Sequence, residues 1–561
     1  MSEGKAARES EEEAKRQAVK EEAVHQHRHW VRVTFACNNR CMFCLDGDAP
    51  KAGHRSAPEV RAEIVKGYKP GARLILSGGE ASIHPDFIDF VHFGRETGYA
   101  WIQTITNGRM FAYAPFAKSA ADAGLSEVTF SMHGHTSALH DELTGIPGGF
   151  AQALRGMMNL LKDGRVVVNV DCVINGMNVR DLPDILAFYQ KLGIHEFDLL
   201  QIVPFGRAWQ PGNRERLFYD LESNAGHLQK AFSEAARPGN YIWTNRFPPA
   251  HLEGNESLIQ DPHKLFDELR GRFDEFSRYL ESGEPMRCRG ERCRHCFLER
   301  MCGELFALRE RLLTREALRL VVDLCDDNRP AQPETAKTLL DGKIPESWRL
   351  HARDAKQAAA WLGESGLLGR GELWLDDWTD WLKGAWPKSA VFRAVIRLVT
   401  ADAASLESLA EQSYELEILV TRDTEGALTR LKERLGQRAG LILRLPSAET
   451  LAETSARIPD PREFFAGWIE YPIAAYGIPA CIHPGARKDL PEIRLSSLQA
   501  GGGIDLYGFT RDFIRYDYTA TSVRCRDCEW REGCPGLHIN TLRLYGFRQL
   551  RPMGSDRIAQ L

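Results

Sequence analysis

The chain has 561 residues, 43% of them apolar and 27% charged, so it has room for two to four domains that each bury a core. A formal net charge of −5 gives no general case for binding nucleic acid or an anionic membrane surface. No stretch approaches the roughly 18 consecutive apolar residues of a membrane span, so we expect no membrane-spanning segment.

The first segment, residues 1–28, is a charged arm without the apolar stretch of a secretory signal. We therefore expect no export and a cytoplasmic location. Because the cytosol keeps thiols reduced, the thirteen cysteines are not explained by disulfides and point to another chemistry.

Residues 29–215 alternate short apolar runs with helical patterns such as Pro85–Thr97 and Phe150–Lys162. β-Branched and aromatic residues dominate the runs, and turn residues follow most of them. Six successive βα units predict an α/β fold, a partial (β/α)6 TIM-like barrel with its functional residues at the carboxyl ends of the strands. The six predicted strands are Trp30–Phe35, Arg73–Ser77, Trp101–Thr106, Glu127–Met132, Val166–Val173 and Phe197–Val203.

The rest of the chain divides into three regions. Residues 216–330 are helical by pattern, contain a second group of cysteines and end near a linker-like stretch, Asp326–Pro333. Residues 331–480 are predicted to form a second, smaller α/β domain, and a degenerate barrel is one architecture that this domain could have. Residues 481–561 are predicted to form a C-terminal cysteine module. The further predicted strands are Ala394–Thr400, Tyr414–Thr421 and Leu441–Pro446.

Half of the twelve tryptophans lie between residues 340 and 390. A compact aromatic core is the simpler interpretation, and a docking surface for a partner is the alternative. The six are Trp348, Trp361, Trp374, Trp378, Trp381 and Trp386.

Eleven of the thirteen cysteines fall into three groups, and close spacing of thiols in a reduced compartment indicates metal or iron–sulfur ligation. Cys172, within a predicted strand, is interpreted as a buried small side chain, and Cys325 has no clear role. The groups are Cys37, Cys41 and Cys44; Cys288, Cys293, Cys296 and Cys302; and Cys481, Cys525, Cys528 and Cys534.

The first group follows the first predicted strand directly. Three thiolates ligate three irons of a cubane cluster and leave the fourth iron open to a ligand, whereas a zinc site would need a fourth protein ligand nearby. The spacing Cys37-x3-Cys41-x2-Cys44, with Phe43 before the last cysteine, resembles the radical S-adenosylmethionine (SAM) superfamily. That resemblance implies a [4Fe–4S] cluster held by these three catalytic cysteines, which cleaves SAM to a 5′-deoxyadenosyl radical.

A second motif supports the resemblance. Ser77-Gly78-Gly79-Glu80 follows the second predicted strand and is similar to the GGE motif of the superfamily, which implies that Glu80 accepts the ammonium group of SAM. The resemblance implies further SAM contacts at later strand ends, for which ordinary turn chemistry is the alternative. The residues so implied at later strand ends are Asn107, Ser131, Asp171 and Val203. Phe43 in the cysteine loop and Ser77, Gly78 and Gly79 in the GGE turn are also implied contacts.

Two histidines, His133 and His135, follow the fourth predicted strand. One interpretation is a proton acceptor for the substrate, and the other is a pair of hydrogen-bonded structural histidines.

The second and third cysteine groups contain the same pattern, since Arg292–Gly303 and Arg524–Gly536 both read Cys-x2-Cys-x5-Cys with Arg on each side of the first cysteine. We interpret this as a tandem arrangement of two βα regions, each followed by a cysteine module. The groups resemble the auxiliary clusters of SPASM and Twitch enzymes, which implies two auxiliary [4Fe–4S] clusters, with zinc as the alternative. In the third group the fourth ligand is Cys481, His483 or none.

Together these motifs predict a radical SAM enzyme that abstracts hydrogen from its substrate. Auxiliary clusters point to an oxidative modification, with a peptide or protein side chain as the substrate and a flavodoxin- or ferredoxin-type electron donor as a partner. A small-molecule, lipid or cofactor-precursor substrate is the first alternative. A non-enzymatic iron–sulfur electron carrier is the second, although such a carrier needs neither an open iron nor a SAM-binding turn.

Overall fold

The computed structural model describes residues 28–47, 53–315, 318–326, 331–341, 344–367, 371–377, 395–398, 415–437 and 439–554. All but the last residue of the predicted charged arm, and also Trp378, Trp381 and Trp386, lie outside these ranges. The described residues divide into two compact units. The N-terminal unit comprises residues 28–260 together with Cys288–Phe297, and the C-terminal unit comprises Asp261–Arg287 and residues 298–554.

The N-terminal unit is built on a parallel sheet of seven strands in the order β1-β2-β3-β4-β5-β6-β7. All six predicted strands are present, and a seventh, β7, follows in the region predicted to be helical. The strands are β1 Arg28–Thr34, β2 Arg73–Gly78, β3 Trp101–Thr106, β4 Glu127–Ser131, β5 Val167–Ile174, β6 Glu196–Gln201 and β7 Tyr241–Asn245.

Helices connect these strands as in a βα succession. Helix α5, for example, buries Phe150, Ala153, Met157 and Leu160, which recur at the spacing of one helical face. The helices are α1 Ala57–Lys66, α2 Phe87–Thr97, α3 Ala114–Asp122, α4 Ser137–Thr144, α5 Gly149–Asp163, α6 Leu182–Lys191, α7 Arg214–Leu217 and α8 Ala225–Phe232.

The C-terminal unit contains two four-stranded sheets in the orders β10-β9-β8-β15 and β11-β12-β13-β14, all of whose pairings are parallel. A second α/β region is therefore confirmed, and a short antiparallel pair, β16 and β17, follows it. The strands are β8 Arg319–Asp323, β9 Ser347–Asp354, β10 Gly371–Asp377, β11 Val395–Leu398, β12 Glu415–Leu419, β13 Leu441–Arg444, β14 Ala474–Tyr476, β15 Ile493–Arg494, β16 Thr519–Ala520 and β17 Leu537–His538.

The helices of this unit lie between and after its strands. They are α9 Leu265–Gly271, α10 Phe273–Ser282, α11 Glu299–Thr314, α12 Pro333–Leu340, α13 Ala355–Ser365, α14 Arg422–Gly436, α15 Leu451–Arg457, α16 Pro461–Ala466, α17 Leu506–Asp512 and α18 Ile539–Tyr545.

Two predictions about region boundaries differ from the structure. The stretch predicted to be helical, residues 216–330, contains β7 and β8 as well as helices. Strand β8 lies before the linker-like stretch and pairs with β9 after it, so Asp326–Pro333 connects two strands of one sheet. Pro333 itself starts helix α12, since proline is tolerated in the first turn of a helix.

Three tryptophans of the Trp-rich stretch are described, and all three are buried: Trp348, Trp361 and Trp374. The Trp361 indole N–H donates to Ala331 O at 2.9 Å. For these three, the interpretation as an aromatic core holds. None of the helices in the described ranges is both long and apolar enough to cross a membrane.

Candidate active site

The segment that follows β1 carries the first three cysteines, and backbone hydrogen bonds fix its course. Arg40 N donates to Thr144 O and Arg207 N donates to Cys44 O, each at 2.9 Å. The backbone carbonyl of Thr144, in α4, holds the loop at Arg40. The cysteine loop is thus tied to α4 and to the turn after β6, at the carboxyl edge of the parallel sheet.

The thiols of Cys37, Cys41 and Cys44 lie close enough for the charges of all three to affect one another. Burial raises the pKa of Cys37 to about 11 and raises the pKa of Cys41 and Cys44 as well. Asn39 N donates to Cys37 Sγ at 3.3 Å, which favours the thiolate. Since three thiolates this close repel one another without cations between them, the donor set fits three irons of a [4Fe–4S] cluster and leaves one iron free of cysteine.

Phe43, predicted to contact SAM, is the hydrophobic anchor of the cysteine loop. Its ring is 9% exposed and packs against Leu143, Ile202 and Ala208. The edge of the ring also meets His133, with ring centroids 4.6 Å apart. Burial of this ring positions the cysteines on either side of it, while a contact with SAM stays a prediction.

Two glycines, Gly78 at the end of β2 and Gly79 directly after it, bring this turn into contact with the end of β1 and the cysteine loop. Gly79 N donates to Thr34 O and Glu80 N donates to Ala36 O, both at 2.9 Å. Gly78 has a φ of +141°, and a β-carbon there would lie 2.1 Å from Thr34 O. A β-carbon on Gly79 would lie 2.3 Å from Ala36 O. Glycine is therefore required at both positions by the approach of two backbones.

Glu80 is buried, and four donors hold its carboxylate. Ser82 N, Ser82 Oγ and Thr106 Oγ1 donate to Oε1 at 3.1, 2.5 and 2.7 Å, and Asn107 N donates to Oε2 at 2.6 Å. Burial raises the pKa of Glu80, and these hydrogen bonds lower it by a smaller amount. Because Oε2 accepts a single hydrogen bond from these donors, it keeps the capacity to accept an ammonium group, as the sequence predicts. Ser77, half-buried near the end of β2, stays a predicted contact.

Asn107 connects the third strand end to the cysteine loop. Its Nδ2 donates to Asn38 Oδ1 at 2.6 Å, and its Oδ1 accepts from Arg109 N at 3.1 Å. Arg109 in turn donates through Nη1 to Asn38 O at 2.6 Å. Arg109, which the sequence analysis did not single out, thus stabilises the cysteine loop through a hydrogen bond to its backbone.

Ser131 and Asp171 lie beside each other on adjacent strands, and Ser131 Oγ donates to Asp171 Oδ2 at 2.9 Å. The buried carboxyl of Asp171 neighbours Asp198 on β6, which accepts a hydrogen bond from Asn245 Nδ2 on β7. Burial and the charge of Asp198 raise the pKa of Asp171 to about 7. The structure therefore joins two predicted residues to two that were missed, in one polar cluster on the strands.

The sequence pattern around Asp198 and Asn245, the two missed residues, gives only a weak indication of their role. Asp198 stands between apolar residues of β6, where period-two alternation indicates the opposite face from Phe197 and Leu199. Asn245 ends β7, a strand of only five residues in a stretch dominated by helical patterns. Val203, predicted to meet SAM, is buried just after β6, and Phe205 N donates to its carbonyl at 2.8 Å.

The two histidines after β4 differ. His133 is buried, stacks on His140 and accepts from Val173 N at 3.2 Å, and burial lowers its pKa well below the usual value. It is a neutral, hydrogen-bonded histidine, which supports the structural interpretation. His135 is different, because its Nδ1 atom is buried and has no hydrogen-bond partner among the described residues.

In the C-terminal unit the third cysteine group converges on one cavity of about 210 Å³, lined by Cys481, Cys525, Cys528 and Cys534. Cys481 comes from a loop after β14 and the other three from the segment between β16 and β17. Met553 N donates to Cys528 Sγ at 3.4 Å. Backbone N–H groups pointing at cysteine sulfurs are a common feature around iron–sulfur clusters and tune their potential.

His483, the alternative fourth ligand, is used elsewhere. Its Nε2 lies 3.0 Å from Trp468 O, and its Nδ1 accepts from Gly485 N at 3.0 Å. Both ring nitrogens are therefore engaged by the backbone. The structure brings Cys481, and not the His483 ring, to the triplet.

The second cysteine group spans both units. Cys288, Cys293 and Cys296 belong to the N-terminal unit, where Cys293 Sγ donates to Cys288 O at 3.7 Å and Cys296 N donates to Cys293 O at 2.8 Å. Cys302 lies in the first turns of α11, in the C-terminal unit. Joint ligation by these four cysteines stays a prediction. Cys172 is buried in β5, as expected.

Comparison with known proteins agrees with this geometry. Residues 31–189 match the sequence profile of the Radical SAM superfamily. The chain is 28% identical over 183 residues to the "AdoMet-dependent heme synthase" of Oleidesulfovibrio alaskensis, a match that covers 32% of this chain and 46% of that relative. It is 26% identical over 178 residues to the "Probable GTP 3',8-cyclase" of Saccharolobus solfataricus, covering 31% of this chain and 57% of that relative.

The chain thus spans about half the length of the curated relatives that it matches. Among solved structures, Streptococcus suis SuiB bound to precursor peptide SuiA aligns with a TM-score of 0.33 at 14% identity. That alignment covers 42% of this chain and 52% of SuiB.

Proposed function

Because residues 31–189 are a radical SAM domain, we propose that this chain is an enzyme that reductively cleaves SAM and abstracts a hydrogen atom from a bound substrate. In this superfamily a [4Fe–4S] cluster, when bound, supplies the electron that converts SAM to methionine and the 5′-deoxyadenosyl radical. The chain's own residues hold the cysteines, orient the SAM and shield the reacting atoms.

One observation carries the proposal. The loop with Cys37, Cys41 and Cys44 and the turn with Glu80 are joined by backbone hydrogen bonds, so four chemically required groups share one rigid edge of the sheet. Orienting groups act best when packing and hydrogen bonds lock them, and in this chain Asn107 and Arg109 supply that support. An electron carrier would need no such arrangement of an acidic turn against a three-cysteine loop.

We also propose that Asp171 and Asp198, which pair on β5 and β6, bind a polar group of SAM or the substrate. The pKa of Asp171, raised to about 7, means that this carboxyl both donates and accepts hydrogen bonds near neutral pH. The unpartnered Nδ1 of His135 is the candidate acceptor for a substrate proton.

We propose an oxidative outcome. Convergence of Cys481, Cys525, Cys528 and Cys534 on one cavity supports a fully ligated auxiliary [4Fe–4S] cluster, which has no open iron and serves electron transfer. When bound by these cysteines, such a cluster would supply an acceptor for the electron left on a substrate radical. The electron that starts each turnover comes from a flavodoxin- or ferredoxin-type donor.

For the substrate we propose a peptide or protein side chain, the class suggested by the auxiliary cysteine groups. A second candidate is a small molecule or cofactor precursor, which the names of the relatives favour, since one is a heme synthase and the other a GTP cyclase.

The test is hydrogen transfer measured by mass spectrometry. Anaerobically reconstituted, reduced enzyme with SAM is offered deuterated peptides in one reaction and deuterated nucleotides and porphyrin precursors in another. Deuterium in 5′-deoxyadenosine identifies the substrate class. If no 5′-deoxyadenosine forms in any reaction, with or without a candidate substrate, the result would favour an electron carrier instead.

A further inference from the structure

Four side chains with metal-binding chemistry meet at the carboxyl edge of the first sheet of the C-terminal unit. Asp323 ends β8, and Cys325 follows it two residues later. In the parallel register, Asp323 on β8 and Trp374 on β10 both pair with His351 of β9, and Asp376 stands two residues beyond Trp374. None of these four belongs to the three cysteine groups, and Cys325 stands alone in the sequence.

Distances show that the four form one cluster. His351 Nδ1 lies 3.1 Å from Asp323 Oδ1, and its Nε2 lies 3.0 Å from Asp376 Oδ1. Cys325 Sγ donates to Asp376 Oδ2 at 3.5 Å, and Cys325 N donates to Asp323 Oδ1 at 2.9 Å. One donor atom each from Asp323, Cys325 and His351 lies within 4.8 Å of the others.

These spacings are close to those of a bound ion. Zinc bonds of about 2.0–2.3 Å place tetrahedral ligand atoms roughly 3.3–3.8 Å apart, so small side-chain movements suffice to close Asp323, Cys325 and His351 around one cation. The relative exposure of the side chains is 16% for His351, 24% for Asp323 and 37% for Asp376, so a metal ion can enter from solvent.

The combination of ligands indicates the class of metal. A thiol, an imidazole and carboxylates form a mixed set that suits zinc and similar divalent transition metals better than magnesium or calcium, which prefer oxygen ligands alone. A carboxylate on the second nitrogen of a ligating histidine is the usual arrangement that orients the ring, and Asp376 at Nε2 takes that place when Asp323, at Nδ1, is a ligand.

We propose that Asp323, Cys325 and His351 ligate one divalent transition metal of the zinc class, with Asp376 orienting the His351 ring through its other nitrogen, at a site separate from the iron–sulfur sites. The position supports this, since functional residues of parallel α/β folds gather at the carboxyl ends of strands. In the N-terminal unit the cysteine loop begins directly after β1, and Cys325 occupies the corresponding place after β8.

The test compares zinc content in full-length chains whose iron–sulfur sites are already filled by anaerobic reconstitution. After incubation with zinc and desalting, mass spectrometry of the metals should find about one zinc more per chain in the wild type than in Cys325→Ser or His351→Asn. Cys172→Ser, which changes the other isolated cysteine, is the matched control and should retain the wild-type zinc content. Equal zinc in wild type, Cys325→Ser and His351→Asn would overturn the proposal.

Cobalt gives a second readout. Bound Co²⁺ should produce a thiolate-to-cobalt charge-transfer band that is lost in Cys325→Ser and kept in Cys172→Ser. If either variant fails to fold, Asp376→Asn decides, because Asp376 is exposed near the end of β10. A drop in zinc affinity of about tenfold or more is expected, and an unchanged affinity would contradict the site.

Discussion

At the scale of single residues, the site depends on buried polar groups that are held by several neighbours. Glu80 is the clearest case, because one carboxylate caps its own turn, fixes Thr106 and Asn107 and still presents Oε2 with accepting capacity. The sequence indicates that Glu80 is functional. It does not indicate Thr106 and Asn107 as donors, since they lie at a strand end 26 and 27 residues away and become neighbours of Glu80 only in the sheet.

Replacing Glu80 by glutamine should weaken SAM binding. The amide removes the negative charge that would meet an ammonium group and places an N–H₂ against existing donors. A lost charge-assisted hydrogen bond of about 1.5–3 kcal/mol corresponds to a Kd for SAM raised roughly tenfold or more. Equilibrium dialysis of the reconstituted protein measures this, with the exposed Glu96→Gln as control. A Kd equal to that of the wild type would show that Glu80 does not face SAM.

Asp171 should make stability depend on pH. Its pKa is raised to about 7 in the folded chain, chiefly by burial, so the folded state holds a proton that the unfolded state releases. The free energy of unfolding therefore falls as pH rises from about 4 to 7, and the penalty is complete above that range.

Asp171→Asn removes this penalty. Relative to wild type, the variant should gain stability on going from about pH 5 to pH 8, by at most about 3 kcal/mol, because the penalty grows only up to about pH 7. Chemical denaturation followed by tryptophan fluorescence at the two pH values measures it, and the exposed Asp184→Asn serves as control. Parallel pH dependence in wild type and Asp171→Asn would show that this carboxyl does not carry the raised pKa.

At the scale of elements, the contact between the cysteine loop and the turn after β2 decides the geometry of the site. That contact requires glycine, because carbonyl oxygens of the loop occupy the space of a side chain at Gly78 and Gly79. The βα order and six strands follow from sequence periodicity. Strands β7 to β10 do not, because they are short or mixed with tryptophans and charges in stretches whose local pattern suits helices.

Gly79→Ala should displace the cysteine loop. A β-carbon 2.3 Å from Ala36 O cannot be accommodated without a backbone shift, so iron bound at the first cysteine group should fall by more than half. Iron analysis and the absorbance of the cluster after anaerobic reconstitution measure the change. Gly226→Ala, in α8 with open space around its β-carbon, should bind iron like the wild type. Equal iron in the two variants would show that the cluster does not depend on the close backbone approach at Gly79.

At the scale of the whole molecule, two parallel α/β regions each carry chemically active residues at strand ends. The cysteine spacing identifies the three thiols of the first candidate site, because they lie within eight residues of sequence. It does not predict that Cys481 rather than His483 lies with the third group. Both ring nitrogens of His483 contact backbone groups, namely Trp468 O and Gly485 N, and the sequence does not show these contacts. Likewise the cluster around Cys325 draws its side chains from the ends of three strands, and no local spacing in the sequence identifies it.

The most direct test of the proposed function is the amount of 5′-deoxyadenosine formed from SAM after reduction. The triple variant Cys37→Ala/Cys41→Ala/Cys44→Ala should form none, while Cys525→Ala/Cys528→Ala/Cys534→Ala should still cleave SAM, since its first cysteine loop is intact. Iron analysis of both proteins establishes which sites are filled, and Cys172→Ala controls for the loss of a thiol. Formation of 5′-deoxyadenosine by the first triple variant, or its absence from the wild type, would contradict the assignment of a radical SAM enzyme.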